Sequence, residues 1–214
     1  GYGTAIYKGS DENILIVESS STTSGWPESG VSALAFTKAT VDYFKANHKW
    51  DAIDPRGSAL KVRIDIAEEN ATFTSRTSQM RIGVGEGGWA KLGLSLAAAN
   101  DVVAHEITHG VIGASSGLIY AYQSGALNES FSDFFGSMVD GDDWLVGEDL
   151  LSPSGKALRN MAAPRDAYRG GQPSHFSEYR SLPNTEDGDW GGVHRYSGIP
   201  NRALYLLAEG LSSE

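Results

Sequence analysis

Five consecutive residues, His105-Glu106-Ile107-Thr108-His109, hold the side chains that metal-assisted hydrolysis needs. Helix positions four apart share a face, so His105 and His109 can aim two imidazoles at one cation while Glu106 points beside it as a general base. An ordinary helix carrying two histidines by chance fits the same five residues, and the pattern alone leaves both readings open. A second segment separates them. Ala126 to Gly141 reads as a helix with Glu129, Asp133 and Asp140 along one stripe, and Gly136 on that stripe lets a neighbouring backbone approach closely. Asp101, His105 and His109 make a matching stripe, and Gly110 to Gly125 is long enough to turn the chain antiparallel. Side by side, the stripes set His109 opposite Glu129, His105 near Asp133 and Asp101 near Asp140. Glu129 then supplies a third ligand and leaves a fourth position open, as a catalytic zinc requires. Asp133 is placed to take the free N–H of His105. Asp101 and Asp140 repel each other unless a cation lies between them. With Asp142, Asp143 and Glu148 nearby, the spacing implies a calcium about 12 to 16 Å from the zinc. A solvated face is the plain alternative for an acidic stripe, but Phe131, Phe134 and Phe135 flank this one, so its charges should be buried and need partners.

The chain that positions these helices has 214 residues, 40% of them apolar, enough for one large core or two packed across a cleft. The longest weakly polar stretch, Leu92 to Ala99, is far too short to span a bilayer, so no membrane segment is expected. With no cysteine there are no disulfides or thiolate ligands, and a metal must be held by His, Asp or Glu. Seventeen basic against 27 acidic residues give a formal charge of -10, which repels nucleic acid and anionic lipid. The chain begins at Gly1 without a methionine or a signal core, so a targeting or pro-segment is expected to be removed or to lie outside this sequence.

Asn13 to Glu18, Leu60 to Ile66 and Met80 to Val84 read as strands, with Leu60 to Ile66 half-buried by its alternation; Ser32 to His48 and Arg202 to Glu209 read as helices. Ser19 to Gly30 reads as a loop. Gly83-Val84-Gly85-Glu86-Gly87-Gly88 looks like a dinucleotide-binding run but lacks the following amphipathic helix, so a flexible loop is expected. Asn70-Ala71-Thr72 and Asn128-Glu129-Ser130 match the glycosylation triplet, the second by chance within a helix. The fold class is therefore α+β: a strand-rich lobe over residues 1–99 and a helical lobe over 100–214, with a cleft between them.

From about Val41 onward the chain resembles the thermolysin family of zinc metalloendopeptidases. The resemblance is carried by Asp101-Val102-Val103-Ala104-His105-Glu106-Ile107-Thr108-His109-Gly110, by Gly125-Ala126-Leu127-Asn128-Glu129-Ser130, and by Gly191-Gly192-Val193-His194 with Asp189 before it. It implies one catalytic zinc, Glu106 as base, Tyr120 and His194 as donors to an oxyanion, Asp189 as the holder of His194, and Arg159 on a substrate carbonyl. It also implies a hydrophobic pocket on the leaving-amine side lined by Leu96, Val102, Val146 and Leu158. Asp101, Asp140, Asp143 and Glu148 match the family's calcium positions and Leu145 is counted with them, but Gly141 and Leu145 alter the flanking loop, so one calcium rather than two is expected. The substrate-gripping edge aligns without gaps to Thr72-Phe73-Thr74-Ser75, while a two-residue insertion puts Asn70-Ala71 there. A further calcium site that some relatives hold is expected to be absent at Ser152-Pro153-Ser154-Gly155-Lys156. The resemblance further implies secretion, peptide or protein substrates and a removed propeptide; the family continues with a further helical region, so this sequence reads either as a naturally compact variant or as a fragment, which would expose the apolar face of Ala203 to Leu211. Two rivals stand beside the endopeptidase: a metal-binding fragment without catalysis, which has no need of Glu106, His194 and Asp189, and an aminopeptidase of the same zinc class, for which no device capturing a free amino terminus is visible.

Overall fold

In this computed structural model the described residues are 4–8, 15–18, 26–50, 53, 57, 59–151 and 156–210. A five-stranded sheet runs in the order β2-β1-β3-β5-β4, from β1 (Thr4–Lys8), β2 (Leu15–Glu18), β3 (Leu60–Ile66), β4 (Ala71–Thr74) and β5 (Gln79–Gly83). β3 pairs in parallel with both β1 and β5, whereas β2 and β4 close the two edges antiparallel. Along β3 the buried Leu60, Val62, Ile64 and Ile66 alternate with exposed Lys61 and partly buried Asp65, as the half-buried reading implied, and Arg63 is the one residue of the polar side that is buried.

The helix α1 (Glu28–His48) starts four residues earlier than the apolar periodicity suggested, because Pro27 caps its entrance in extended conformation and Glu28 sits in the first turn. Residues 13–14 of the expected strand, 19–25 of the loop expected over Ser19 to Gly30, 152–155 of the stretch expected to lack a further calcium, and 211 all lie outside the described residues. α1 and α2 (Asn100–Ala114) pack with the sheet around Ile6, Ala33, Met80, Ile82, Ala97, Val103 and Ile107, all of them buried. The other face of α2 lies along α3 (Tyr122–Asp140). Gly136 makes that pairing close: a Cβ there would lie 2.8 Å from the Asp101 carbonyl oxygen. On its sheet side α2 is equally tight, since a Cβ at Gly110 would lie 2.7 Å from the Phe73 ring, and this brings edge strand β4 alongside the helix.

The remaining elements are β6 (Leu145–Val146), paired with β7 (Arg159–Asn160), then α4 (Asp189–Tyr196) and α5 (Gly198–Glu209). Phe134 and Phe135 pack among Tyr43, Phe44, His48 and Trp144, so the expected aromatic flank of α3 is present. Leu207 on α5 is 80% exposed. Among the described residues no helix is long and apolar enough to cross a membrane.

Candidate active site

The antiparallel packing of α2 on α3 brings the two predicted stripes together. His105 Nε2 lies 3.5 Å from Glu129 Oε2, and His109 Nε2 lies 3.4 Å from Glu129 Oε1. The ligand atoms of His105, His109 and Glu129 all fall within 4.8 Å of one another. His105 donates its Nδ1–H to Asp133 Oδ1 at 2.9 Å. His109 Nδ1 sits 2.7 Å from Asn128 Oδ1, which fixes the same tautomer there. Each ring is thereby left with a bare Nε2, and these two nitrogens face each other at 3.0 Å. Two lone pairs that close repel, and Glu129 Oε2 beside them is buried with no hydrogen-bond partner. A divalent cation among the three groups removes both costs, so the donor set fits zinc.

The electrostatics follow from burial. Burial pushes the Glu106 carboxyl up to about 7, with nearby His105 opposing it. Burial pushes His109 down to about 4. His105 is also buried, but the neighbouring carboxylates of Asp133 and Glu129 outweigh that and raise it to about 10, so a proton on its Nε2 competes with a cation for the place between the two rings. Glu129 and Asp133 stay below the usual carboxylate range despite burial, the first beside His194 and His109, the second beside Arg159 and His105.

Across the cleft, left-handed backbone at Asp189 (φ 53°), Trp190 (φ 50°), Gly191 and Gly192 interrupts α4 and turns Asp189 back onto its own helix. Asp189 Oδ1 accepts from His194 Nδ1 at 2.5 Å, and Oδ2 accepts the Arg195 backbone N–H at 2.9 Å. His194 is raised above its ordinary value: burial opposes the charge, but Glu129 and Asp189 outweigh it. Its Nε2 reaches the Tyr120 hydroxyl at 3.1 Å, and Tyr120 in turn donates to Glu129 Oε1 at 2.5 Å.

His105, Glu106, His109, Tyr120, Glu129 and His194 line one cleft of about 640 Å³, together with Asn70, Ala71, Thr72, Phe73, Trp89, Val102, Leu158 and Arg159. Both candidate substrate edges thus reach it, from β4 and from Asn70 just before it. Arg159 Nε donates to Asp133 Oδ1 at 2.8 Å, and Asn201 donates to the other oxygen of Asp133 at 2.8 Å. Leu96 and Val146 do not join the lining: at 0% and 1% exposure they stand behind it in the core and have no surface to offer a substrate.

The acidic ends of the two stripes meet as well, with a different membership from the expected one. Asp140, Asp142 and Glu148 bring oxygens within 4.8 Å of one another. Asp143 instead turns Oδ1 onto the Leu145 N–H at 2.6 Å, and the Leu145 carbonyl accepts from Ser137 Oγ at 3.4 Å, so neither belongs to that cluster. Asp101 takes the Gly147 N–H on Oδ2 and leaves Oδ1 without a partner, as Glu148 leaves Oε2. Burial raises Asp101 to about 6 and Glu148 to about 8, Asp101 adding to the latter, while burial and Asp142 raise Asp140 to about 7.

Asn128, Asn201 and Trp89 were missed at the sequence level. Asn128 follows no stripe, since it is the neighbour of Glu129 on the helix, and Asn201 lies 68 residues from the Asp133 it touches.

Comparison with known proteins agrees with this geometry. The description "Thermolysin metallopeptidase, catalytic domain" matches residues 5–113, and "Thermolysin metallopeptidase, alpha-helical domain" matches residues 116–214. A bacillolysin of Brevibacillus brevis is 44% identical over 182 residues, 84% of this chain and 33% of the relative. A neutral protease of Bacillus pumilus is 45% identical over 166 residues, 77% of this chain and 52% of the relative. An extracellular elastase of Staphylococcus epidermidis is 43% identical over 196 residues, covering 86% and 36%. The chain therefore spans between about a third and about half of these curated relatives. The structure of the precursor of protealysin, a metalloproteinase from Serratia proteamaculans, superposes with a TM-score of 0.84 at 34% identity, covering 98% of this chain and 69% of that one. On both sequence and fold, the chain belongs to the thermolysin metallopeptidase family.

Proposed function

We propose that this chain is a zinc-dependent endopeptidase that hydrolyses internal bonds of peptides and proteins, with a large apolar residue favoured on the leaving-amine side. The observation that carries the reading is the pair of facing Nε2 atoms of His105 and His109 beside the unpartnered Glu129 oxygen, in the same cleft as Glu106, Tyr120 and His194. His105, His109 and Glu129 would hold the zinc. When bound, zinc supplies a Lewis acid for the scissile carbonyl and acidifies water.

The chain's own groups do the rest. Glu106, whose raised carboxyl is poised near neutrality, takes a proton from the attacking water and passes it to the leaving nitrogen. The Tyr120 hydroxyl and His194, held by Asp189, donate to the oxygen on which charge develops. Arg159, anchored on Asp133, receives a substrate carbonyl, and Val102, Leu158 and Trp89 form the apolar wall beside it. Asn70 and Ala71 offer the polar edge for an extended peptide.

A calcium held by Asp140, Asp142 and Glu148 with Asp101 belongs to the same proposal, as do secretion and the division into lobes 1–99 and 100–214 about the cleft. Internally quenched peptides assayed beside free-amino substrates, with and without chelator, test it. Chelator-sensitive cleavage of the quenched peptides is expected. Cleavage of free-amino substrates alone would favour an aminopeptidase, and no cleavage at full zinc occupancy a metal-binding module.

A further inference from the structure

The glycine run continues β5 into a loop; backbone hydrogen bonds hold residues 83–85, and one carboxylate holds residues 86–89. Glu69 Oε2 accepts the backbone N–H groups of Glu86 at 2.6 Å and Gly88 at 3.0 Å, while Oε1 accepts that of Trp89 at 2.7 Å. A concave row of backbone N–H groups is an anion-binding arrangement, and here the anion is the chain's own side chain. Glycine is needed at position 88, where a Cβ would lie 2.3 Å from Glu69 Oε1. Burial raises the Glu69 carboxyl, but the N–H groups of Trp89, Glu86 and Gly88 together outweigh it and hold the group below its usual range, charged at neutral pH.

The contact joins two stretches of the cleft lining. Glu69 directly precedes Asn70 and Ala71, and these two and Trp89 all line the cleft. The Trp89 ring and Leu158 converge on Gly147: a Cβ there would meet Trp89 Cζ3 and Leu158 Cβ both at 3.3 Å. The far end of the loop has its own anchor, from the Lys91 N–H to the Leu150 carbonyl at 2.9 Å. Loss of Glu69 would therefore release residues 86–89 and leave the sheet in place. No chemical step uses this carboxylate.

We propose that Glu69 is a positioning residue that acts through Trp89 to set the width of the leaving-side pocket, and with it the preference for a bulky apolar residue there. The proposal rests on the endopeptidase reading. Its test compares the parent chain with Glu69→Ala, Trp89→Ala and the double variant, on quenched peptides that differ only in a leaving-side Leu or Ala. Zinc content and Tm are recorded for each. Glu69→Ala should lose about tenfold in kcat/KM on the Leu peptide, mainly through KM, and less than about twofold on the Ala peptide. Trp89→Ala should show the same pattern, and the double variant should be no worse than Trp89→Ala alone, because the two residues act in series. Equal losses on both peptides, or additive losses in the double variant, overturn the proposal in favour of general stabilisation. A parent that cleaves and a Glu69→Ala variant with unchanged selectivity overturn it alone; a parent that cleaves neither peptide overturns the endopeptidase reading and this inference together.

Discussion

At the scale of single residues, the metal centre depends on which ring nitrogen each histidine keeps bare, and that choice is made by Asp133 for His105 and by Asn128 for His109. Asn128→Ala should weaken zinc binding about 10- to 100-fold in a chelator competition, with the fold intact by circular dichroism. Unchanged affinity would mean that Ser132, 3.1 Å from the same nitrogen, suffices. His194 acts at a later point. His194→Ala should lower kcat by about 10²- to 10³-fold while KM moves little, because its donor serves developing charge rather than ground-state binding. His105, His109, Glu129 and Asp133 were legible because periodicity and chemistry agree at each of them. Leu96 and Val146 show the limit: an apolar residue at a family position can line a pocket or stand behind it, and only packing decides.

Among the elements, the contact of α2 with α3 carries the site, and Gly136 is the residue that lets the helices meet. Gly136→Ala puts a methyl 2.8 Å from the Asp101 carbonyl oxygen and should destabilise the fold by about 1 to 3 kcal/mol, read from denaturant midpoints. A neutral result would show that the helices can part without cost. Both helices could be found from their stripes, since a 3.6-residue period over four or five turns is a strong signal. β4 could not: four residues, Ala71–Thr74, on a sheet edge give too little alternation, and their place beside α2 comes from tertiary packing. The turn at Asp189 and Trp190 was equally hidden, because two non-glycine residues at positive φ follow from no local preference. Residues 83–88 were read as a flexible loop because the carboxylate that holds Glu86 and Gly88 lies outside the run, at Glu69.

For the whole molecule, the acidic cluster couples stability to pH and to calcium. Asp101 and Glu148 lie above the usual carboxylate range, so the folded, cation-free chain binds protons that the unfolded chain has already released. Their contribution to stability is fully present below the ordinary carboxylate values near 4 and is lost as pH rises from there through about 6 to 8. In chelator, with zinc removed in every sample, Tm should fall across that window, and calcium should remove most of the fall by binding only the folded, ionised cluster. An identical pH slope with and without calcium would contradict a cation site there. The fold class was legible because strand-like and helix-like periodicities separate near residue 100; the strand order β2-β1-β3-β5-β4 was not, since pairing is set by contacts far apart in sequence. The central claim, that one cleft unites a zinc set with Glu106 as its base, is tested most directly by kcat/KM of Glu106→Gln on a quenched peptide at matched zinc content. The expected result is one bound zinc per chain and a loss of at least about 10²- to 10⁴-fold relative to the parent. Parent-like cleavage by the zinc-loaded variant would contradict it.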